Sequence, residues 1–96
     1  MALNLCVLIW AREGRVRALA EYEDRVLAIL VDHGGRVLQR MRTTGGGDEP
    51  AEVHVLEIPS EEALARYTND PRRSALSAER DAAIERTQVL RVERVG

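Results

Sequence analysis

From Leu3 to Ala11 apolar side chains fall on both parities, with Leu3, Leu5, Val7 and Ile9 on one and Cys6, Leu8 and Trp10 on the other. An antiparallel strand with one wet face alternates apolar and polar, so this run predicts a first strand covered on both faces. Arg12-Glu13-Gly14 reads as a turn. After it the spacing becomes helical: Val16, Leu19, Tyr22, Val26, Ile29 and Leu30 recur until Gly34-Gly35 ends the helix. RVLQRMR (36–42) then reads as a second strand, with Val37, Gln39 and Met41 on one parity and Leu38, Arg40 and Arg42 on the other. That load of charge suits a sheet edge, where it discourages unwanted pairing.

TTGGGDEP, Thr43 to Pro50, predicts a polar and mobile hairpin loop. Its three glycines do not make a phosphate loop, since no Lys-Ser/Thr follows and the next segment, EVHVLEI, reads as a third strand without a helix N-terminus. That strand ends at Pro59. Ser60 then stands as N-cap of a helix whose first turn carries Glu61 and Glu62, charges that suit the positive end of the helix dipole. The helix breaks at Asn69-Asp70-Pro71 and restarts with Asp70 as cap and Pro71 at the first position. Its continuation is expected to carry Leu76, Arg80, Ala83 and Ile84 on one stripe, and QVLRVERV closes the chain as a fourth strand.

Strand, helix, strand, hairpin, strand, helix, strand is the ferredoxin-like βαββαβ order, an α+β arrangement expected to occupy residues 1–96 as one domain. In it the first and third strands are central, the second and fourth are edges, and both helices cover one face of a four-stranded antiparallel sheet. The other face is left open. Because the first strand is apolar on both sides, a second copy is expected to cover that face, giving a homodimer of back-to-back sheets that buries about 1,600 Å² or more.

All 14 basic residues are Arg, a bias that points to a GC-rich coding sequence more than to function, and against 16 acidic ones they leave a net charge of −2. A surface so balanced has no general attraction for phosphate backbones, which argues against a nucleic-acid partner. LNLCVLIW is too short to span a membrane and no basic residue precedes it, so neither an anchor nor a signal peptide is expected and the protein is placed in the cytoplasm. The single cysteine, Cys6, reads as a buried thiol of the strand.

YEDRVLAILVDHGGRVLQR (Tyr22 to Arg40) and LEIPSEEALARYTNDPRRSALSAERDAAI (Leu56 to Ile84) together resemble the DUF1330 family of small dimeric α+β barrel proteins. The resemblance implies a strand that ends in an aromatic-Pro-Ser step, a helix with Tyr or Trp, a proline break and a later Arg. Ile58 stands where the aromatic is usual, and TTGGGDEPAE interrupts a hairpin that is usually short. It supports fold and dimer and implies no general activity, although related barrels include cofactor-free monooxygenases, lactone isomerases and haem-degrading enzymes.

The topology brings the end of the first strand (Trp10), the start of the third (His54) and the later turns of the second helix (Arg80) to one end of the domain, with Tyr22 on the first helix facing the same space. Imidazole, guanidinium, phenol and indole among apolar walls would suit a small anionic or aromatic ligand: Arg grips carboxylate in a fork and His exchanges protons near neutrality. Each also has a packing role. His54 would serve as a neutral core histidine or face a dimer partner, Arg80 would pair with Glu57 or Glu79, and Trp10 and Tyr22 would fill space. His33 and His54 have no third ligand in register, so no metal site is expected, and no cofactor motif is legible. Three functions remain open: binding of a small molecule; cofactor-independent isomerase, lyase or monooxygenase chemistry with His54 as acid or base; and a non-catalytic structural module.

Overall fold

The structure is a computed structural model and describes residues 2–44 and 47–95. Its elements follow in the order β1 (Leu3–Ala11), α1 (Val16–Asp32), β2 (Arg36–Arg42), β3 (Glu52–Ile58), α2 (Glu61–Thr68), α3 (Pro71–Ser74), α4 (Ser77–Ala83) and β4 (Ile84–Val92). The strands form one antiparallel sheet in the order β2-β3-β1-β4, which is the ferredoxin-like arrangement with β1 and β3 central. Cα extents of 38 × 36 × 16 Å match two layers, a sheet and one sheath of helices.

Strand register decides which side chains meet. Val7 lies opposite His54 on β3 and Val89 on β4, while Arg40 of β2 lies opposite His54. One row across the sheet is therefore Arg40, His54, Val7 and Val89. A bulge between Val37 and Gln39 sets that row, since an unbroken β2 would bring Gln39, not Arg40, level with His54. Leu5, Ile9, Leu56 and Ile58 point under the helices and pack there against Leu19, Val26, Leu27 and Leu30 of α1. Cys6, Leu8 and Trp10 take the other face, where they are only half-buried, and Met41, Leu90 and Val92 lie exposed.

Helix termini follow their local chemistry. α1 ends in a Schellman pair, with Gly34 N–H donating to Val31 O and Gly35 N–H to Leu30 O, both at 3.0 Å. Gly34 has φ +83, and a Cβ there would also lie 3.0 Å from the Pro59 ring, so glycine is required twice over. Ser60 Oγ accepts from Ala63 N–H at 3.0 Å as the α2 cap. Asp70 accepts from Arg72 N–H at 2.8 Å as the cap of α3, and its other oxygen takes a bond from His33 Nε2 at 2.8 Å. Arg72 joins Asp70 to Asp32 as well, so the end of α1 is pinned to the start of α3.

Two expectations are corrected. The second helix is interrupted again after Ser74, giving three short pieces, and Ile84 begins β4 instead of extending the helical stripe. The cause is tertiary: Arg12 N–H donates to Ala83 O at 2.9 Å, and β4 pairs with β1 from Ile84 onward across a bulge near Trp10. Of the loop expected over 43–50, Gly45 and Gly46 lie outside the described residues; around them, Thr43 Oγ1 donates to Pro50 O at 2.6 Å.

Asp70→Ala removes a cap acceptor and the anchor for His33 and Arg72 together. The variant is expected to melt about 5 °C lower than wild type, measured by circular dichroism; an unchanged midpoint would show that the pin contributes nothing.

Candidate functional site

Between sheet and helices lies a cavity of about 450 Å³ whose floor includes Val7, His54 and Val89 and whose helical wall includes Tyr22, Glu23 and Tyr67. Arg73 and Arg80 complete it. Thr87 and Val89 of β4, which no helix covers, are exposed and form its open side.

Its charged layer is built on Glu52, whose side chain is 0% exposed. Arg40 Nε donates to Glu52 Oε1 at 2.8 Å and Nη2 to Oε2 at 3.2 Å, while Arg42 Nε reaches Oε2 at 3.3 Å. Arg40 further donates to Asp24 at 2.6 Å and to Ala20 O at 3.0 Å, which ties β2 and β3 to α1. Burial works against ionisation of Glu52, but hydrogen bonds from His54 and Arg40 outweigh it and hold the carboxyl down at about 2. Glu52 is thus a carboxylate and can only accept. The 2.8 Å contact between its Oε1 and His54 Nε2 therefore has the imidazole donating, which places a hydrogen on Nε2 and turns Nδ1 toward Glu23 Oε1 at 3.8 Å.

Glu23 has the opposite character. Only 7% exposed, its carboxyl is pushed up to about 7 by burial; His54 opposes the rise, the nearby Glu52 charge adds to it, and Arg40 and Arg73 oppose it. Burial likewise raises Tyr22, against the pull of Arg73, and pushes Tyr67 up to about 12. Both phenols therefore keep their protons at neutral pH and remain donors. The Arg73 guanidinium stacks 4.6 Å from the Tyr67 ring centroid, and its Nε is buried without a hydrogen-bond partner among the described residues.

Of the four residues expected to converge, Tyr22, His54 and Arg80 line this cavity and Trp10 does not. Trp10 lies on the far face of the sheet, where its Nε1 donates to Asp48 O at 2.8 Å and the Arg86 guanidinium covers its ring at 3.9 Å. Strand parity is the reason, because Trp10 alternates with Ile9 while His54 shares the side of Val7. His54 is 1% exposed and faces the helices, not a second sheet. Arg80 is half-exposed and meets Asp81 at 3.4 Å, whereas the two carboxylates expected for it are taken by other arginines, Glu79 by Arg25 and Glu57 by Arg36. His33 is absorbed by Asp70. Glu23, Tyr67 and Arg73 were not expected. A signal for Glu23 is present in the chain: it falls four residues after Leu19 and three before Val26, a charge on a buried stripe.

With the geometry described, comparison with known proteins adds the family. A family model described as "Domain of unknown function (DUF1330)" matches residues 14–95. The chain belongs to the DUF1330 family. Solved structures agree on the fold. PA3566 from Pseudomonas aeruginosa is 20% identical with a TM-score of 0.75, covering 99% of this chain and 95% of its own. A protein from Bacteroides fragilis, described as dimeric, of unknown function and of ferredoxin-like fold, is 12% identical at TM-score 0.73, with coverage of 97% and 96%. A dabb family protein with a ferredoxin-like fold from Mesorhizobium loti is 14% identical at 0.70, with coverage of 99% and 98%. No curated protein matches the chain. At such identities the likeness to these solved structures extends to the fold of this DUF1330 protein and no further.

Glu23 binds its proton more tightly folded than unfolded, so its contribution to stability is complete below about pH 4.5 and is lost as pH rises through about 7. In urea titrations, wild type is therefore expected to lose about 3 kcal/mol relative to Glu23→Gln across that window. A difference that stays constant with pH would show that Glu23 titrates as an ordinary surface carboxylate.

Proposed function

We propose that this DUF1330 protein binds a small organic anion in the cavity between sheet and helices, and that it works as a homodimer through the open face of the sheet. The observation that carries the ligand reading is Arg73: its guanidinium lines the cavity over the Tyr67 ring and pairs with no carboxylate among the described residues, so a bound anion would supply its counter-charge. Arg80, half-exposed at the same cavity, adds positive charge where a ligand enters. Tyr22 and Tyr67 supply donors, and Leu5, Val7 and Val26 supply apolar walls for a hydrocarbon or aromatic body. Trp10 has no part in this site and belongs to the face proposed for pairing.

That face carries Leu8, Val53, Val55, Leu90 and Met41 in a contiguous apolar surface, and among the described residues no helix covers it. A structural neighbour described as dimeric shares the fold, which supports pairing here. A second copy of the chain covers such a surface with like against like.

Sedimentation at micromolar concentration is expected to give a species of twice the 10.7 kDa chain mass, and Leu90→Arg to give one chain mass. A wild type sedimenting as one chain would remove the dimer.

Ligand binding is tested by thermal shift with benzoate and 2-oxobutanoate. Wild type is expected to gain about 2.7 kcal/mol at a hundredfold excess over the dissociation constant, a gain that Arg73→Met loses and Arg80→Met reduces. Equal shifts in wild type and Arg73→Met would place the anion site elsewhere.

A further inference from the structure

We infer that the cavity is a proton-transfer site, in which Glu23 removes and returns a proton on the carbon beside the carbonyl of a small oxo-carboxylate. This rests on the anion-binding reading above and adds a reaction and a substrate class to it.

The argument starts from what each carboxylate is free to do. Glu52 is fully buried and committed to Arg40, Arg42 and His54, so it cannot meet a ligand. Glu23 lines the cavity, and its contact with His54 Nδ1, at 3.8 Å, is longer than a hydrogen bond. That contact leaves its oxygens available to a bound molecule. His54 cannot turn to take the role itself, because its Nε2–H is held by Glu52 and the ring is walled in. It acts as a positioning residue that presents Nδ1 to Glu23. The groups that set the charge on Glu23 are His54 and Glu52 of β3, Arg40 of β2 and Arg73 of α3, with the phenols of Tyr22 and Tyr67 lining the same cavity. Burial among them brings its proton affinity close to neutrality, where a base is both partly ionised and strong enough to act.

A base of that strength removes protons from carbon only where a neighbouring carbonyl accepts the electron pair. The Glu23 carboxylate takes the proton, the C–H pair becomes the C=C bond of an enolate, and the carbonyl π pair moves to oxygen. Tyr67, which keeps its proton, donates to that oxygen, while Arg73 holds the carboxylate of the same molecule. Return of the proton to the same carbon gives exchange, and return to another position gives an isomer. No electrons leave or enter, so no redox partner is needed.

The test follows loss of the C3–H signal of 2-oxobutanoate and of phenylpyruvate by proton NMR in D2O, with binding of each measured separately by chemical-shift titration. Wild type is expected to accelerate exchange at least about a hundredfold over buffer, and Glu23→Gln to bind both acids yet fall by about a hundredfold or more. The buffer-corrected wild-type rate is expected to climb as pH passes about 7, and His54→Gln to move that midpoint upward, since the His54 charge lowers the affinity of Glu23 for its proton. Binding without exchange would overturn proton transfer and leave the anion site standing. Absence of binding by either acid and by benzoate would overturn both. Exchange retained in Glu23→Gln would overturn the assignment of the base. Should that variant fail to fold, a wild-type rate flat between about pH 5 and 8 would overturn it equally.

Discussion

A carboxylate with no exposure to water, Glu52, is the constraint on which the interior of this protein is arranged. Removing such a charge from water is costly unless its lone pairs are filled, and here two guanidiniums and an imidazole fill them. The consequences spread outward from those bonds. Arg40, drawn inward to reach Glu52, also binds Asp24 and the Ala20 carbonyl and so fixes α1 against the sheet edge. His54, held by one nitrogen, has its ring orientation decided for it. Glu23, packed on the other side of that ring, is cut off from water and so retains its proton more tightly than a surface glutamate, the fixed negative charge of Glu52 adding to the effect.

The cavity wall opposite depends on a second, independent set of contacts. The second helical segment of a βαββαβ fold is commonly continuous, but here it turns at Pro71 and again after Ser74, and those turns swing Arg73 over the Tyr67 ring. The pin from His33 and Asp32 through Asp70 and Arg72 holds the first of these breaks in place. An interrupted helix therefore substitutes directional freedom for length: three short pieces aim Tyr67, Arg73 and Arg80 toward one space, which a straight helix could do only at intervals along a single stripe.

Much of the architecture was legible in the chain because its punctuation is strong. Gly34-Gly35, Ser60 and Asp70-Pro71 each carry a local reason to end or begin a helix, and each does so. β2 and β3 began and ended where their sequences suggested. The boundary at Ala83/Ile84 was hidden, since what stops the helix is a hydrogen bond from Arg12, distant in sequence. At the site, topology and helical period bring Tyr22, His54 and Arg80 to the cavity, whereas Trp10 shares their end of the domain but takes the opposite strand parity, which places its indole on the far face. Glu23 was obscured by its neighbour: Tyr22 and Glu23 occupy adjacent positions of one buried arc, and the aromatic drew attention to itself. Arg73 lies past a proline break, where helical phase can no longer be counted from the segment before.

The bulge in β2 looks like a minor irregularity on an outer strand. Yet the extra residue between Val37 and Gln39 makes strand length a chemical variable, because every position after it is turned by half a pleat. Straighten β2 there without removing a residue and the edge still pairs, but Gln39 arrives where Arg40 stood and Arg40 and Arg42 turn to the opposite face, taking both guanidiniums from Glu52. Insertions and deletions in an edge strand are normally the cheapest changes a fold can absorb. In this protein the bulge is what aims Arg40 and Arg42 at the centre, so either the bulge or an unbroken β2 one residue shorter is expected wherever the Glu52 and His54 pair is kept.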